Sequence, residues 1–448
     1  MWAEQSVFYQ IYSLGLCDSF HHNDWSGNNH PEQNSKGEDL KQDGVKNIER
    51  FIPHLKRMNI NAVYFTPIFE SDYHGYDTRD FRLVDRRIGS NEAFAELCDK
   101  LHKEEIRVVL DGVFHHVGRG FWAFQDVIKN RENSAYRDWF FIDLNGNSNY
   151  NDGLWYEGWE GHYDLVKLNL RNPNVTEYLF ESIAQWIEQF HIDGIRLDVA
   201  YCLDVSFLRQ LRDFCDSKKE DFFLLGEMIH GDYNRLLREA GLNSVTNYEC
   251  YKGLYSSFND MNLFEINHSL TRQFGNQGAL YSGTHLFSFV DNHDVSRIAS
   301  ILKNKEHLPL VYTLLLTMPG IPCIYYGSEW GITGEKKDGD TALRPYIEET
   351  IWNDLTEQIG KLVSIRIQSQ ALNFGEFTTL HLTNRQCVIE RRFGSDRILI
   401  GINADGAPYQ GHFQPGCSRI RDLLSGQESD VSTELRMGPY EYFIWEVI

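Results

Sequence analysis

Short apolar runs rich in β-branched and aromatic residues recur along the first three quarters of the chain, and they alternate with longer segments of helical periodicity. Two such segments are Glu92–Lys103 and Val175–Phe190, whose apolar residues fall at helical spacing. This alternation predicts a parallel sheet with crossover helices. The eight predicted strands are Val7–Tyr12, Ala62–Thr66, Val108–Asp111, Gly194–Asp198, Phe222–Gly226, Ser244–Asn247, Leu286–Val290 and Cys323–Tyr326.

Three of these runs lead directly into acidic residues. Asp198 and Glu227 end two of them, and Asp-Asn-His-Asp at 291–294 follows a third. Acidic groups from distant parts of one chain meet only if the fold gathers the ends of its strands. A (β/α)8 barrel does this, because its active site lies at the C-terminal ends of its strands. We therefore predict an α/β protein with a TIM barrel fold.

Two regions do not fit a simple barrel. The stretch between the third and fourth predicted strands is too long for a crossover and is rich in Trp and Tyr, so we predict an inserted subdomain at 117–165 that covers the cleft. A helix is expected near 352–370, followed by short strands separated by turns. We assign 1–116 and 166–355 to the barrel and 356–448 to a C-terminal β-sandwich.

The charge and the cysteines narrow the class of protein. The 448 residues carry a formal net charge of −21, which disfavours nucleic acid and anionic membranes as partners. An equally good interpretation is that this charge serves only to keep the protein in solution. We see no signal-peptide pattern and no apolar run near ~20 residues, so we expect a cytoplasmic protein. Eight unpaired cysteines, such as Cys98, Cys202 and Cys323, are expected to be reduced core residues.

Several carboxylates at one point suit glycoside hydrolysis, in which one carboxylate attacks or stabilises the sugar carbon and one carboxylic acid protonates the leaving oxygen. Arg196 precedes Asp198 by two positions, so both side chains point the same way on a strand. An adjacent Arg keeps a carboxylate ionised, as a nucleophile requires. A purely structural Arg–Asp pair explains the same pattern equally well.

A purely structural role is also an alternative for each of the other candidate active-site residues. Glu227 at the mouth of an apolar strand suits a general acid, but also a helix cap. His293 and Asp294 suit sugar binding, but also an ordinary turn. Asp111 and His116 extend the pattern to the third strand. The His115–His116 pair raises a metal site, yet no further ligands stand at suitable spacing, so we predict no metal there.

Taken together, these segments resemble the regions shared by the α-amylase family, glycoside hydrolase family 13. They are Asp111-Gly-Val-Phe-His-His116, Gly194-Ile-Arg-Leu-Asp198, Gly226-Glu227 and Asn292-His293-Asp294. The resemblance spans nearly the whole chain. It implies a retaining mechanism with Asp198 as nucleophile, Glu227 as acid/base and Asp294 as transition-state stabiliser. It also implies sugar binding in the cleavage subsite by Tyr76, Asp77, Asp111, His116, Arg196 and His293.

Within that family the chain looks like the neopullulanase, cyclomaltodextrinase and maltogenic amylase group. The segments that carry this likeness are Val166-Lys-Leu-Asn169, Gly226-Glu-Met-Ile-His230, and Asp340 with Arg344. The likeness implies that Asn169, His230, Asp340 and Arg344 bind substrate. It also implies cleavage of α-1,4 bonds in maltooligosaccharides and cyclodextrins, with possible α-1,6 cleavage and transglycosylation. The alternatives are an exo-acting α-glucosidase, a glucanotransferase, or a non-catalytic sugar-binding relative.

Three departures from the group's pattern bear on these expectations. The group usually has a β domain before the first barrel strand, and we expect this chain to lack it because the sequence begins at that strand. Cyclodextrin preference and dimerisation are therefore open, and we expect a monomer or a homodimer. His115 stands where many family members have a calcium-binding Asn, so no cofactor is expected to be required; Asp24, Asn28 and Asn29 are candidate ligands for a structural calcium ion elsewhere. Ile229 replaces a usual Trp after Glu227.

Overall fold

The computed structural model describes residues 1–23, 44–275 and 278–448, and its centre is a barrel of eight parallel strands. All eight lie where the sequence predicts a strand. We number them β1 (Phe8–Ile11), β2 (Ala62–Phe65), β3 (Arg107–Gly112), β4 (Gly194–Leu197), β5 (Phe223–Gly226), β6 (Ser244–Val245), β7 (Phe287–Phe289) and β8 (Ile321–Tyr325).

The strands follow one another around the barrel in chain order. β8 pairs with β1, and a parallel bridge between Thr246 and Phe287 joins β6 to β7 and closes the ring. Every pairing between neighbours is parallel, so all C-terminal strand ends meet on one face. This is the predicted TIM barrel.

Helices surround the barrel. Asn91–Lys103 begins after Ser90, whose side chain accepts from the Ala93 N–H, and Pro173–Phe190 begins after Asn172, which accepts from the Asn174 N–H. Both predicted helices are therefore present, the second starting slightly earlier. Within the described residues the α-helices are Ser13–Leu16, Gly44–Glu49, Ile52–Arg57, Asn91–Lys103, Trp122–Asn130, Pro173–Phe190, Val205–Lys218, Tyr248–Asn259, Phe264–Phe274, Ile298–Ile301, His307–Thr317, Asp340–Leu343, Asp354–Gln368 and Gln370–Phe374.

The barrel interior changes from apolar to polar along the strands. Phe8, Ala62 and Val109 belong to a buried cluster inside the barrel. Because side chains alternate along a strand, the residues two positions later point the same way. They are Gln10, Tyr64 and Asp111, and with Arg196 on β4 they form a buried polar layer near the C-terminal face.

The segment inserted between β3 and β4 has its own small sheet. His162–Lys167 pairs antiparallel with His116–Gly118 and with Gly158–Trp159, and Ile142–Asp143 pairs with Trp155–Tyr156. A Cβ on Gly118 would lie 2.3 Å from the Asp77 carbonyl oxygen, so this sheet packs closely on the loop after β2 only because residue 118 is glycine.

The C-terminal part is all β. A six-stranded antiparallel sheet has the order Glu376–Leu382, Gln386–Phe393, Asp396–Asn403, Tyr442–Val447, Arg419–Asp422 and Glu428–Asp430; a second pair is Tyr409–His412 with Glu434–Met437. Val388 and Leu399 of the large sheet share a core with Leu435 of the pair. The position at which we divided barrel and C-terminal region, 355/356, lies in the first turn of Asp354–Gln368.

Three further expectations concern membrane-spanning helices, the cysteines and the candidate calcium ligands. None of the helices in the described ranges is both long and apolar enough to cross a membrane. Cys98 and Cys323 are buried, but Cys202 is exposed, contrary to our expectation, because it ends the turn Ala200–Cys202 beyond the apolar strand. The candidate calcium ligands Asp24, Asn28 and Asn29 lie outside the described residues.

Candidate active site

One guanidinium group organises the C-terminal face of the barrel. Arg196 Nη1 lies 2.9 Å from Asp198 Oδ1 and 2.9 Å from Asp111 Oδ1, and its Nη2 lies 2.6 Å from Glu227 Oε1. Asp111 and Arg196 are register partners across β3 and β4, which explains their contact. The predicted contact between Arg196 and Asp198 is therefore present, and Arg196 also contacts the carboxylates of Asp111 and Glu227. All four side chains are buried.

Asp111 is saturated by protein donors. Its Oδ2 accepts from the Tyr64 hydroxyl at 2.7 Å and from the Tyr76 hydroxyl at 3.2 Å, in addition to Arg196. Its side chain has no exposed surface. Among the residues we expected at the cleavage subsite, Asp111 therefore orients Arg196 and Tyr76 and does not face the open cleft.

Glu227 is held by a backbone N–H that points at it from the turn after β4. Its Oε2 accepts from the Val199 N–H at 2.9 Å. Val199 has φ 39° and ψ 45°, in the left-handed region that a β-branched residue rarely adopts. This turn directly follows Asp198, so the strained backbone connects the positions of the two carboxylates.

Asp294 completes the acidic group from the other side of the barrel. Its Oδ1 accepts from Arg344 Nη2 at 3.1 Å, and its Oδ2 lies 3.1 Å from His293 Nε2. Its side chain is 37% exposed, whereas that of Asp198 is 8% exposed. Asp294 is thus the member of the group that is open to the cleft.

Burial and charge act differently on these carboxyls. Burial raises the pKa of Glu227 and of Asp198, and the neighbouring carboxylates add to this while the Arg196 guanidinium opposes it. Burial would also raise the pKa of Asp294, but His293 and Arg344 outweigh it and lower that pKa to about 2. The site therefore combines a carboxylate that stays ionised with carboxyls that retain a proton more readily.

Two histidines line the same space as neutral rings. Burial lowers the pKa of His293 to about 3, and burial and the neighbouring His115 lower the pKa of His116 well below its usual range. His116 Nε2 lies 3.8 Å from Asp198 Oδ2 and has no hydrogen-bond partner among the described residues. The indole N–H of Trp159, whose ring centre is 6.0 Å from that of His116, likewise has none there. Both groups are available to a polar ligand.

Tyr76 covers His293. Their rings are parallel within 8° at 5.6 Å, and the Tyr76 hydroxyl lies 2.5 Å from His293 Nε2. Asp77 is buried beside it and accepts from the His74 N–H at 3.2 Å. Burial raises the pKa of Asp77. The structure therefore brings Tyr76 to the carboxylate group, while Asp77 holds the loop on which Tyr76 is carried.

The remaining expected substrate residues divide into two sets. Arg344 contacts Asp294 and also Asp340 at 3.0 Å, so both extend the carboxylate group along one edge. Asn169 instead bonds within the inserted segment, donating to the Asp138 carbonyl at 3.0 Å. His230 is exposed and packs against Tyr201 with ring centres 5.5 Å apart. No contact ties Asn169 or His230 to Asp198, Glu227 or Asp294 in the described part of the chain.

Sequence reasoning missed several residues that support this site. Gln10 contacts His293, Tyr64 contacts Asp111, and the Tyr248 hydroxyl accepts from Asn292 Nδ2 at 3.0 Å. Gln10 and Tyr64 could have been identified from the sequence, because each places a polar group inside a short apolar strand. Tyr248 could not, since it opens a helix far from the motif that it contacts.

In the described ranges, no group of three or more His, Cys, Asp and Glu side chains is arranged to hold a metal ion. His115 Nδ1 faces His116 Nδ1 at 3.2 Å and not a carboxylate. What the described site offers is a buried acid group, an ionised carboxylate and neutral imidazoles around one cleft. This set of groups suits acid–base and nucleophilic chemistry at an acetal carbon.

Comparison with known proteins agrees with that chemistry. Residues 18–361 match the profile "Alpha amylase, catalytic domain". A maltogenic α-amylase of Bacillus acidopullulyticus is 32% identical over 454 residues, covering 95% of this chain and 74% of its own length. A cyclomaltodextrinase of Thermoanaerobacter pseudethanolicus is 31% identical over 420 residues, covering 90% and 70%.

A solved structure matches from end to end. The ligand-free cyclic α-maltosyl-(1→6)-maltose hydrolase of Arthrobacter globiformis superposes with a TM-score of 0.83 at 27% identity, covering 100% of both chains. The profile match includes the barrel strands that carry Asp198, Glu227 and Asp294. The chain belongs to the α-amylase family of glycoside hydrolases.

Proposed function

We propose that this enzyme hydrolyses α-1,4-glucosidic bonds of short maltooligosaccharides and cyclodextrins with retention of configuration. The observation that carries the proposal is the contact of Arg196 with Asp198 and Glu227 through its two terminal nitrogens. One guanidinium thereby fixes two carboxyls side by side, as a double displacement requires. The names of the relatives, a maltogenic amylase and a cyclomaltodextrinase, support this substrate class.

In the first step Asp198 attacks the anomeric carbon and Glu227 protonates the leaving oxygen. The Arg196 guanidinium favours the ionised form of Asp198 against the rise in its pKa that burial causes, and burial raises the pKa of Glu227 so that it retains a proton more readily. In the second step Glu227 takes a proton from water, which displaces the sugar from Asp198. Asp294 stays ionised and stabilises positive charge on the sugar ring, because His293 and Arg344 keep its pKa low.

Tyr76, His116 and His293 would hold the sugar in the cleavage subsite. The unpartnered His116 Nε2 supports this role, since a buried imidazole nitrogen without a partner is costly unless a ligand satisfies it. Asp340 with Arg344 would bind the neighbouring sugar along the same edge. We propose that Asn169 shapes the wall of the cleft and that His230 meets the leaving sugar from its exposed position.

Cleavage of α-1,6 bonds is a second candidate activity. It is favoured by the end-to-end match to a hydrolase of a cyclic saccharide with α-1→6 linkages. The free state of all eight cysteines supports a reducing, cytoplasmic location. We propose no required cofactor, and a monomer or homodimer.

A product time course tests the substrate class. Maltotriose, maltohexaose, β-cyclodextrin and pullulan are incubated in parallel, and the products and their initial anomeric form are followed. We expect α-anomers from every substrate that is cleaved, with cyclodextrin opening and maltose as a main product. Release of glucose alone from chain ends would instead assign an exo-acting α-glucosidase, and longer products than substrates a glucanotransferase. Initial β-anomers would contradict the retaining mechanism.

Two variants test the roles. Asp198→Asn should lower kcat on the order of 10⁴-fold while maltotriose still binds. Glu227→Gln should lose activity on natural glucans but much less on glucosides whose leaving group needs no proton. Asp216→Asn, on an exposed helical surface, is the control. Equal losses for Glu227→Gln on both kinds of substrate would remove Glu227 from the acid role.

A further inference from the structure

Gln10 is a buried polar side chain in the middle of β1, between aromatic and aliphatic neighbours. Its Nε2 lies 2.8 Å from His293 Nδ1. An amide NH₂ group only donates hydrogen bonds, so the nitrogen that faces it must accept. In a neutral imidazole one nitrogen accepts and the other carries the proton. The contact therefore assigns the proton of His293 to Nε2.

The other contacts of His293 agree with this assignment. Nε2 faces two oxygens that can accept, the Tyr76 hydroxyl at 2.5 Å and Asp294 Oδ2 at 3.1 Å. The Tyr76 hydroxyl uses its own proton towards Asp111 Oδ2 at 3.2 Å. Donation thus runs in one direction, from Gln10 through His293 and Tyr76 to Asp111. With the opposite tautomer, Nε2 would present a lone pair to Asp294.

We propose that Gln10 is a positioning residue, which fixes His293 as the Nε2–H tautomer so that its one Nε2 proton faces the Tyr76 hydroxyl and Asp294 Oδ2 and can be donated to a sugar hydroxyl bound there. The inference rests on the proposed function, because it deepens the part of His293 in glucan cleavage. Gln10 touches the imidazole from the side away from the cleft, so it acts on the reaction only through His293.

Every element packed against His293 contributes to its charge state. Tyr12, directly after β1, stacks on the ring with ring centres 6.0 Å apart, and Tyr76 covers it from the loop after β2. The charged groups that act on it are Arg196 from β4, Asp294 from its own loop, and Arg344 and Lys336 from the segment after β8. The cations and burial keep the ring neutral, so its tautomer decides what it donates.

Two substitutions separate tautomer control from simple packing. Gln10→Glu keeps the shape, and its ionised carboxylate offers Nδ1 only acceptor oxygens, so neutral His293 then carries its proton on Nδ1 and presents a bare Nε2. The new carboxylate also raises the pKa of His293, and once the ring is doubly protonated the Nε2–H returns. Gln10→Met removes the donor and adds no charge.

We expect kcat on maltotriose to fall about tenfold or more near pH 8 in both variants, with KM changed less. The ratio of Gln10→Glu to wild-type kcat should rise as the pH is lowered from about 8 to about 5, because protonation restores the donor. The same ratio for Gln10→Met should stay level. A level ratio for Gln10→Glu as well would show that Gln10 serves packing alone and would overturn the proposal.

A spectroscopic measurement does not depend on activity. In ¹⁵N-histidine-labelled wild-type protein, the His293 signals, identified by their absence from His293→Asn, should show a protonated Nε2 and an unprotonated Nδ1. A proton on Nδ1 overturns the inference even if the enzyme cleaves glucans as proposed, and the expected tautomer in an enzyme without glucan activity refutes only the proposed function. Gln386→Glu, a buried glutamine in the C-terminal sheet, should leave both signals and kcat unchanged.

Discussion

At the scale of single residues, Val199 is held in a conformation that its side chain disfavours. Left-handed φ and ψ cost an L-residue roughly 1–2 kcal/mol, and glycine avoids this cost. We therefore expect Val199→Gly to be more stable than Val199→Ala by about 1 kcal/mol, the reverse of the usual order of these residues. The two variants differ by one methyl group, whose lost contacts would favour Ala, so a more stable Gly variant reports the backbone.

The free energy of unfolding in urea measures that difference. Ala184→Gly, inside the helix Pro173–Phe190, is the control and should be destabilising by about 1 kcal/mol. If Val199→Ala is as stable as Val199→Gly, the left-handed turn stores no strain. Because the Val199 N–H donates to Glu227, relaxation in Val199→Gly should also be visible as a changed pH profile of kcat.

The residues of the site differ in how far sequence could predict them. Asp198 and Glu227 were predictable because each directly follows an apolar strand, and Arg196 because it lies two positions before Asp198. The contact of Arg196 with Asp111 was not predictable from the sequence, because it depends on the register between β3 and β4. Cys202 was wrongly placed in the core, because its apolar neighbours continue past the point where the strand ends.

At the scale of elements, the two ends of the barrel strands serve different purposes. Asp193 directly precedes β4 at the end away from the site, and its carboxylate is 2.9 Å from His102 Nε2, Arg107 Nη1 and Lys219 Nζ. It also accepts from the Val108 N–H at 2.9 Å. One buried carboxylate thus connects the helix Asn91–Lys103, the starts of β3 and β4, and the segment before β5. Contacts at this end of a barrel typically stabilise the fold.

We expect Asp193→Asn to lower the free energy of unfolding at neutral pH by about 2 kcal/mol, discounted because its cationic partners are partly exposed. Burial would raise the pKa of Asp193, but its hydrogen bonds and Lys219 lower it overall. A lowered pKa in the folded state contributes stability above about pH 4, and this is lost as the pH falls further.

The measurement is urea unfolding from about pH 7 to about pH 3. The gap between wild type and Asp193→Asn should be constant near neutral pH and close progressively below about pH 4. Asp216→Asn, which breaks an exposed pair with Arg212, should stay within about 0.5 kcal/mol of wild type throughout. A gap that does not change with pH would show that Asp193 acts through its shape and not through its charge.

The elements themselves were the most predictable part of the fold. All eight strands and the helices at Asn91–Lys103 and Pro173–Phe190 follow from apolar runs and helical spacing. The inserted segment was expected only as a subdomain, because its strands are two to six residues long and pair only once the barrel brings their ends together. Short strands carry too little periodicity to be read from sequence.

At the scale of the whole molecule, two buried arginines join the C-terminal part of the chain to the barrel, Arg391 from the large sheet and Arg366 from the helix Asp354–Gln368. Arg391 of strand Gln386–Phe393 donates to the Thr317 carbonyl at 2.7 Å and to the Gly375 carbonyl at 2.9 Å. Arg366 donates to the carbonyls of Leu316 at 3.1 Å and Met318 at 2.8 Å. The helix His307–Thr317 ends there, so both cations lie at the negative end of its dipole.

Arg391→Met should therefore weaken the whole molecule and not only the C-terminal sheet. The substitution keeps much of the side-chain volume but leaves buried carbonyls without donors, at an expected loss of about 3 kcal/mol. Arg392→Met, at the next and exposed position of the same strand, should be within about 0.5 kcal/mol of wild type. The pair differs only in which face of the strand is changed.

Because the barrel helix loses its cap in Arg391→Met, the melting temperature of the catalytic barrel should fall together with that of the sheet. The melting of the barrel is followed as loss of glucan cleavage on heating. Wild type should melt in one transition and Arg391→Met in one transition at lower temperature. If activity in Arg391→Met survives to the wild-type temperature while a separate early transition appears, the sheet is an independent unit and Arg391 does not couple it to the active site.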